Sequence, residues 1–402
     1  MSPPDPPRAT DAHRAELRRG RALLAQARSD SRQWSRAFVS SLLATVDGGG
    51  AGADRPARQR RAAEVAEEFA EAADAFRAAL GIRASREAYV GIAEALDAQG
   101  GTYAAMGPGA EGDAIASLSW AVDALDGALG LGSLGSRSAL LDMKVRLLRF
   151  AAGIWSRIAE WGEAAACYRD AVAAVNDLIA LAPGDAEARL SKATLLGAWA
   201  ALGVRHGSPA YSPRLPADPE ASLARHREAL AAFDAAMAST HHPGPQRGLV
   251  TYRTSVELRS LGDLQRAMPR RRSALESYRA AVRLLDEVVA EQAGQRSERG
   301  RMLQRVADVA RELGRPTEAV WAYERGIADL RETELPGGYD DLARGTMLMQ
   351  LGELYLSAGR IEEARGCLQE GLEVLLASAG IVEDDKLARD RLIHRGRELL
   401  HG

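Results

Sequence analysis

The stretch Ser-Ala-Leu-Glu-Ser-Tyr-Arg-Ala-Ala at residues 273–281 returns as Glu-Ala-Val-Trp-Ala-Tyr-Glu-Arg-Gly at 318–326. It returns again as Glu-Ala-Arg-Gly-Cys-Leu-Gln-Glu-Gly at 363–371. The anchoring alanines Ala274, Ala319 and Ala364 stand 45 residues apart. Each phrase follows an amphipathic stretch with its own small residue and turn. Self-similarity at a period of about 20–50 residues marks a stack of like units that bury their apolar faces on one another.

Working outward, the same punctuation divides most of the chain into helix pairs. The spacing predicts pairs over 247–268 with 271–292, 296–313 with 316–332, and 340–358 with 361–377. Upstream it predicts 84–106 with 112–129 and 138–159 with 162–181, the latter closed by Pro183-Gly184. A helix over 56–80 carries the spaced triplet Ala72, Phe76 and Ala79. The pair 185–203 with 218–238 is interrupted by a long loop, 205–217, of a length that is functional or a tolerated insertion. Residues 384–400 predict a terminal helix whose few apolar positions cover the last open face. At the start, residues 1–10 read as a disordered tail. Thr10 or Asp11 caps a first helix to about Arg28, and Ser31 caps a second through Val46. A glycine-rich joint, 47–54, follows, so 11–54 stand as N-terminal helices with a hinge ahead of a repeat array over 55–380 and a capping helix over 381–402.

Composition agrees with an all-α chain. The apolar fraction is 46% but aromatics only 5%, so Ala and Leu must fill the core, unlike a β-sandwich. A net charge of −3 among so many charged side chains gives no bulk field toward nucleic acid or an anionic membrane. The bases are nearly all arginine, with lysine only at 144, 192 and 386, which suggests a high-GC genome such as an actinomycete's. Cys167 and Cys367 each fall three residues after a repeat alanine, so a stacked array keeps them too far apart for a disulfide. With no leader and no long apolar run, a cytoplasmic protein is expected.

These residues resemble the tetratricopeptide repeat, a helix–turn–helix unit. The nearest unit has Leu348, Leu351, Gly352, Tyr355, Gly359, Ala364, Leu368 and Gly371. A second has Leu303, Val306, Ala307, Gly314, Tyr323 and Gly326, and a third Leu258, Leu261, Gly262, Ala274, Tyr278 and Ala281. The resemblance covers roughly 60–380 and implies an all-α, right-handed superhelical α-solenoid of antiparallel helix pairs. The 45-residue pitch is longer than the family's usual one and is similar to long-helix variants in kinesin light chains and the sensory arms of bacterial signalling ATPases. No phosphate-binding loop of the Gly-x-x-x-x-Gly-Lys-Ser/Thr type occurs, so such a system would supply its motor elsewhere.

Catalytic chemistry has no motif here. The seven histidines are scattered, His241-His242 alone being adjacent, and no Cys/His cluster has metal-ligand spacing. No serine sits in a Gly-x-Ser-x-Gly turn, and Asp340-Asp341 and Glu383-Asp384-Asp385 stand at helix starts, where carboxylates favour the dipole. No enzyme, cofactor or metal is expected. In the resembled family the first helix of each pair lines a peptide-binding groove. That implies groove positions at Arg146, Arg149, Arg157, Arg259, Asp263, Arg266, Arg301, Arg305, Asp308 and Arg311, with Glu312 and Glu353 nearby. The lone Asn176 and the three lysines fall outside the pattern of a chaperone carboxylate clamp. The expected function is thus a non-catalytic scaffold or adaptor that binds a protein or peptide segment in its groove, arginines meeting acidic groups, in bacterial signalling or regulation. The alternative is a ligand-responsive sensor whose superhelix changes shape around a peptide or small molecule. Neither reading requires nucleic acid or membrane, and self-association stays open.

Overall fold

The computed structural model describes residues 7–46, 55–132, 137–202, 215–239, 245–291, 295–332, 338–378 and 383–401. The expected glycine-rich joint and most of the 205–217 loop lie outside them, as does the start of the expected tail. Among the described residues there are fifteen helices and no strand. The chain is an all-α solenoid, divided into unit 1, Met1–Pro183, and unit 2, Gly184–Gly402.

Unit 1 holds α1 (Pro7–Val46), α2 (Arg55–Ile82), α3 (Arg86–Met106), α4 (Glu111–Gly130), α5 (Arg137–Arg157) and α6 (Trp161–Leu181). Unit 2 holds α7 (Ala186–Ala200), α8 (Pro219–Ser239), α9 (Pro245–Ala267), α10 (Arg271–Glu291) and α11 (Arg296–Glu312). It continues with α12 (Pro316–Arg331), α13 (Gly338–Ser357), α14 (Ile361–Ala377) and α15 (Glu383–His401). Within each unit successive helices pack pairwise, and odd helices also touch odd ones: α1 with α3, α7 with α9, α11 with α13 and α13 with α15.

Local chemistry sets these ends. Ser85 accepts from the Ala88 amide at 3.2 Å, and Asp185 from the Glu187 and Ala188 amides at 2.9 and 3.1 Å, satisfying helix-start donors. Pro316 opens α12, where its missing N–H costs nothing. The pair turns pass through left-handed backbone at Gly314 (φ 68) and Gly359 (φ 74), and at Ala159 (φ 64) in unit 1.

One expectation is corrected. The first segment is not two helices but the single α1, which starts at Pro7, before Thr10 and Asp11. Arg28-Ser29-Asp30-Ser31 contains neither Gly nor Pro, and cap-type side chains alone do not stop a helix that can continue. Gln26 instead donates to Asp30 at 3.0 Å, bridging one turn across the supposed break. Described as one helix, α1 pairs with α2 and buries Leu17, Leu24 and Ala27 in the unit 1 core. It therefore serves as the first odd helix of that unit.

The core shows a rule wider than the three phrases. Every even helix from α2 to α14 buries a small residue, a large one four later, and a small one three after that. In unit 1 these are Ala72, Phe76 and Ala79, then Ala114, Leu118 and Ala121, then Ala164, Tyr168 and Ala171. In unit 2 they are Ser222, His226 and Ala229, then Ala274, Tyr278 and Ala281, then Ala319, Tyr323 and Gly326, then Ala364, Leu368 and Gly371. Spacing of 3 and 4 keeps the three on one helix face. The small members let the odd helix come close, and the large member fills the space beside it. A Cβ on Gly262 would stand 2.5 Å from the Tyr278 ring, so that approach admits only glycine.

Candidate functional site

Most of the sequence-predicted groove residues of unit 2 are drawn into ion pairs between odd helices. From α9 to α11, Arg259 Nη1 meets Glu298 Oε1 at 2.5 Å, and Arg305 Nε donates to Asp263 Oδ1 at 3.0 Å. Arg266 lies across Glu312, its Nε 3.1 Å from Oε1, and reaches Asp308 at 3.7 Å, while Arg271 also donates to Glu312 at 3.0 Å. From α11 to α13, Arg301 lies 3.8 Å from Asp340, which also accepts from the Ser297 hydroxyl at 2.8 Å. From α13 to α15, Arg395 Nε stands 3.2 Å from Glu353.

Below this row runs a second layer of polar contacts. The Tyr278 hydroxyl donates to Asp263 at 2.6 Å and the Tyr323 hydroxyl to Asp308 at 2.7 Å. Burial and the facing carboxylates hold both phenols above their ordinary range, so they remain donors at any physiological pH. Burial pushes the Asp308 carboxyl up, while the Tyr323 hydroxyl and the charges of Arg266 and Arg311 act against that rise. These guanidinium groups thus tie helix to helix. Among the sequence-predicted arginines of unit 2, Arg311 is the exposed one, beside Asp308 and Tyr323.

Unit 1 differs. Its predicted residues Arg146, Arg149 and Arg157 lie on α5, in register with Phe150 and Gly153. Spacings of 3, 4, 7 and 11 from Arg146 place all five on one helix face. All three arginines are exposed, and Phe150 is 38% exposed. Arg146 is 3.8 Å from Asp142 on its own helix, and its charge also reaches Asp97 of α3, whose carboxyl burial pushes up. Neither Arg149 nor Arg157 makes an ion pair among the described residues. Arg157 is close enough for its charge to be felt at Glu111, and Arg149's is felt at the Tyr168 hydroxyl, which burial pushes upward. This face therefore offers two uncommitted guanidinium groups, a third weakly held, and an apolar ring between them.

Other groups have local roles. His13 Nδ1 contacts the Ala79 carbonyl oxygen at 2.9 Å, tying α1 to α2. His226 pairs with Glu257 at 2.6 Å. His206 and His241-His242 lie outside the described residues, and among those described no three His, Cys, Asp or Glu side chains group as metal ligands. No helix among them is long and apolar enough to cross a membrane.

Cys167 and Cys367 are free thiols, packed against the cores of unit 1 and unit 2 respectively. Burial, with Asp170 and Glu163 nearby, pushes the Cys167 thiol up to about 11 from the ordinary 9.0. A raised value means less thiolate below it. Alkylation of Cys167 at pH 8 is therefore expected to run roughly a hundredfold slower than for an unperturbed thiol. Time-resolved mass spectrometry of iodoacetamide adducts measures this, and a rate matching free cysteine contradicts it.

No family model and no curated protein matches this chain. Among solved structures it is similar to BtubC (BKLC) from P. vanneervenii, at 15% identity over 67% of this chain and 92% of that one, TM-score 0.40. It is similar to a tetratricopeptide repeat protein from Parabacteroides merdae, at 13% identity over 86% and 100%, TM-score 0.33. It is also similar to YrrB, a TPR protein with an unusual peptide-binding site, at 16% identity over 61% and 91%, TM-score 0.29.

Proposed function

We propose that this chain is a non-catalytic helical-repeat scaffold that binds a protein segment on its odd helices, with the exposed face of α5 as the principal contact. The observation that carries this reading is the contrast between the two units. In unit 2 the predicted arginines are largely spent on Glu298, Asp263, Glu312 and Asp340. On α5 the arginines stay exposed beside Phe150. Exposed arginine and aromatic side chains in one patch are the residue types enriched where protein interfaces gain most of their affinity. Their charge selects an acidic segment and speeds its encounter.

The test is affinity capture from the native host with the full chain, comparing wild type with Arg149→Glu plus Arg157→Glu. A control exchanges Arg169 and Arg365, exposed on even helices, for Glu. The α5 variant is expected to lose its partner at least tenfold while retaining wild-type circular dichroism, and the control to keep it. Equal capture by all three chains removes α5 from the function.

A further inference from the structure

Two repeats of unit 2 supply a carboxylate to their own buried tyrosine from a position fifteen residues earlier. Tyr278 reaches Asp263 and Tyr323 reaches Asp308 in this way, at 2.6 and 2.7 Å. Tyr168 holds the same repeat position in unit 1, flanked by buried Ala164 and Ala171 just as Tyr278 is flanked by Ala274 and Ala281. Fifteen residues before Tyr168 stands Gly153, with no carboxylate to offer.

The place is open. A Cβ built on Gly153 meets no atom within 4 Å, so the vacancy is not refilled by another side chain. Tyr168 is only 7% exposed, and its hydroxyl makes no hydrogen bond among the described residues. Arg149 and Arg157 stand one helical turn before and after Gly153, on the same face. The donors that surround an internal carboxylate in unit 2, a tyrosine hydroxyl and guanidinium groups, are therefore present in unit 1 around nothing.

Resting on the reading of α5 as the partner-binding face, we infer that the notch over Gly153 is a carboxylate subsite. An Asp or Glu side chain of the bound segment takes there the place that Asp263 and Asp308 fill from within the chain. It accepts from the Tyr168 hydroxyl and from the guanidinium groups of Arg149 and Arg157, all charge-assisted hydrogen bonds. Arg146, one turn further along α5, is positioned for a second acidic residue of the same segment. Phe150 gives the segment an apolar contact between the two.

Two measurements on the full chain test this, one without any partner. Gly153→Asp places a carboxylate in the notch, and Gly153→Asn places its uncharged isostere there with similar helix propensity. Gly153→Asp is expected to melt a few degrees higher than Gly153→Asn, and Tyr168→Phe is expected to erase at least half of that gap. A gap that is absent, or that Tyr168→Phe leaves unchanged, overturns the subsite whatever α5 binds. For binding, fluorescein-labelled, amidated nonapeptides of Ala and Leu with one central Glu are compared by anisotropy with the Gln counterparts. The Glu pool is expected to bind at least tenfold tighter, and Gly153→Asp, by filling the notch, is expected to abolish the preference. Equal binding, no binding, or a preference that survives Gly153→Asp overturns the proposal. If the captured partner is then lost only with Arg149→Glu plus Arg157→Glu, α5 remains the docking face without this subsite.

Discussion

Replacing His226 by leucine is expected to destabilise unit 2 by about 3–5 kcal/mol, although leucine is what two other even helices carry at that repeat position. His226 is 1% exposed, and its Nδ1 lies 2.6 Å from Glu257 Oε1, itself buried on α9. The Glu257 carboxylate fills the space over Gly197 of α7, where a Cβ would meet Oε2 at 2.2 Å. Three helices thus close around one acid that meets one imidazole. Leucine removes that partner and strands the carboxylate at a site where its side chain is only 9% exposed, the costly half of a buried pair. The double change His226→Leu with Glu257→Met restores an apolar contact of similar volume and is expected to recover most of the loss. Denaturant unfolding read together with hydrogen exchange on α7, α8 and α9 measures both variants. A double variant as unstable as the single one shows that packing, not the stranded charge, is responsible.

Phe76→Ala is expected to cost about 3–5 kcal/mol in unit 1, the range for deleting a buried aromatic ring. The ring is 2% exposed and is met from both sides by glycine: a Cβ on Gly20 of α1 would lie 2.9 Å from it, and one on Gly91 of α3 2.5 Å. One side chain therefore sets the approach of α1 and α3 to α2. The converse change, Gly91→Ala, overpacks the contact and is expected to cost about 1–3 kcal/mol. Adding Phe76→Leu should relieve that strain, since Leu118 and Leu368 occupy the position in other layers. Thermal melts of the three variants decide the matter; an unchanged melt for Phe76→Ala places the ring outside the stabilising core.

Much of this fold is legible in the residues. Helix pairs announce themselves where Gly and Pro punctuate amphipathic runs, as at Gly314-Arg315-Pro316, so their ends fall within a few residues of expectation. The continuity of α1 is not legible, because Ser29, Asp30 and Ser31 carry cap chemistry whether or not a helix stops there. His226 is concealed for another reason. Its repeat substitutes Ser222 for alanine and follows the long 205–217 loop, which breaks the spacing that reveals Tyr278 and Tyr323.

The arginines of the odd helices can be placed from helical spacing, but their partners cannot. Arg305 finds Asp263 across 42 residues, a distance that only the stacking of repeats closes. A signal was nonetheless present: Asp263 with Asp308, Tyr278 with Tyr323 and Arg266 with Arg311 each recur at the 45-residue pitch. On α9 to α12 members of this recurring set are bonded to one another: Tyr278 to Asp263, Tyr323 to Asp308 and Arg266 to Asp308. Gly153 stands apart: it precedes Tyr168 by fifteen residues, as Asp263 precedes Tyr278 and Asp308 precedes Tyr323, but without their carboxylate.

The 42-residue reach of Arg305 to Asp263, and of Arg395 to Glu353, also makes growth and loss of repeats unequal. Duplicating residues 279–323 in tandem would set the new copy of Arg305 42 positions after Asp308, where Gln350 now stands, so the added period arrives with its own tie to the period before it. Excising the same residues would set Gln350 opposite Asp263 and leave that acid without its guanidinium. By this geometry an ancestor of unit 2 could lengthen by tandem duplication of this period with its seams already matched, whereas deletion of the same period would open one.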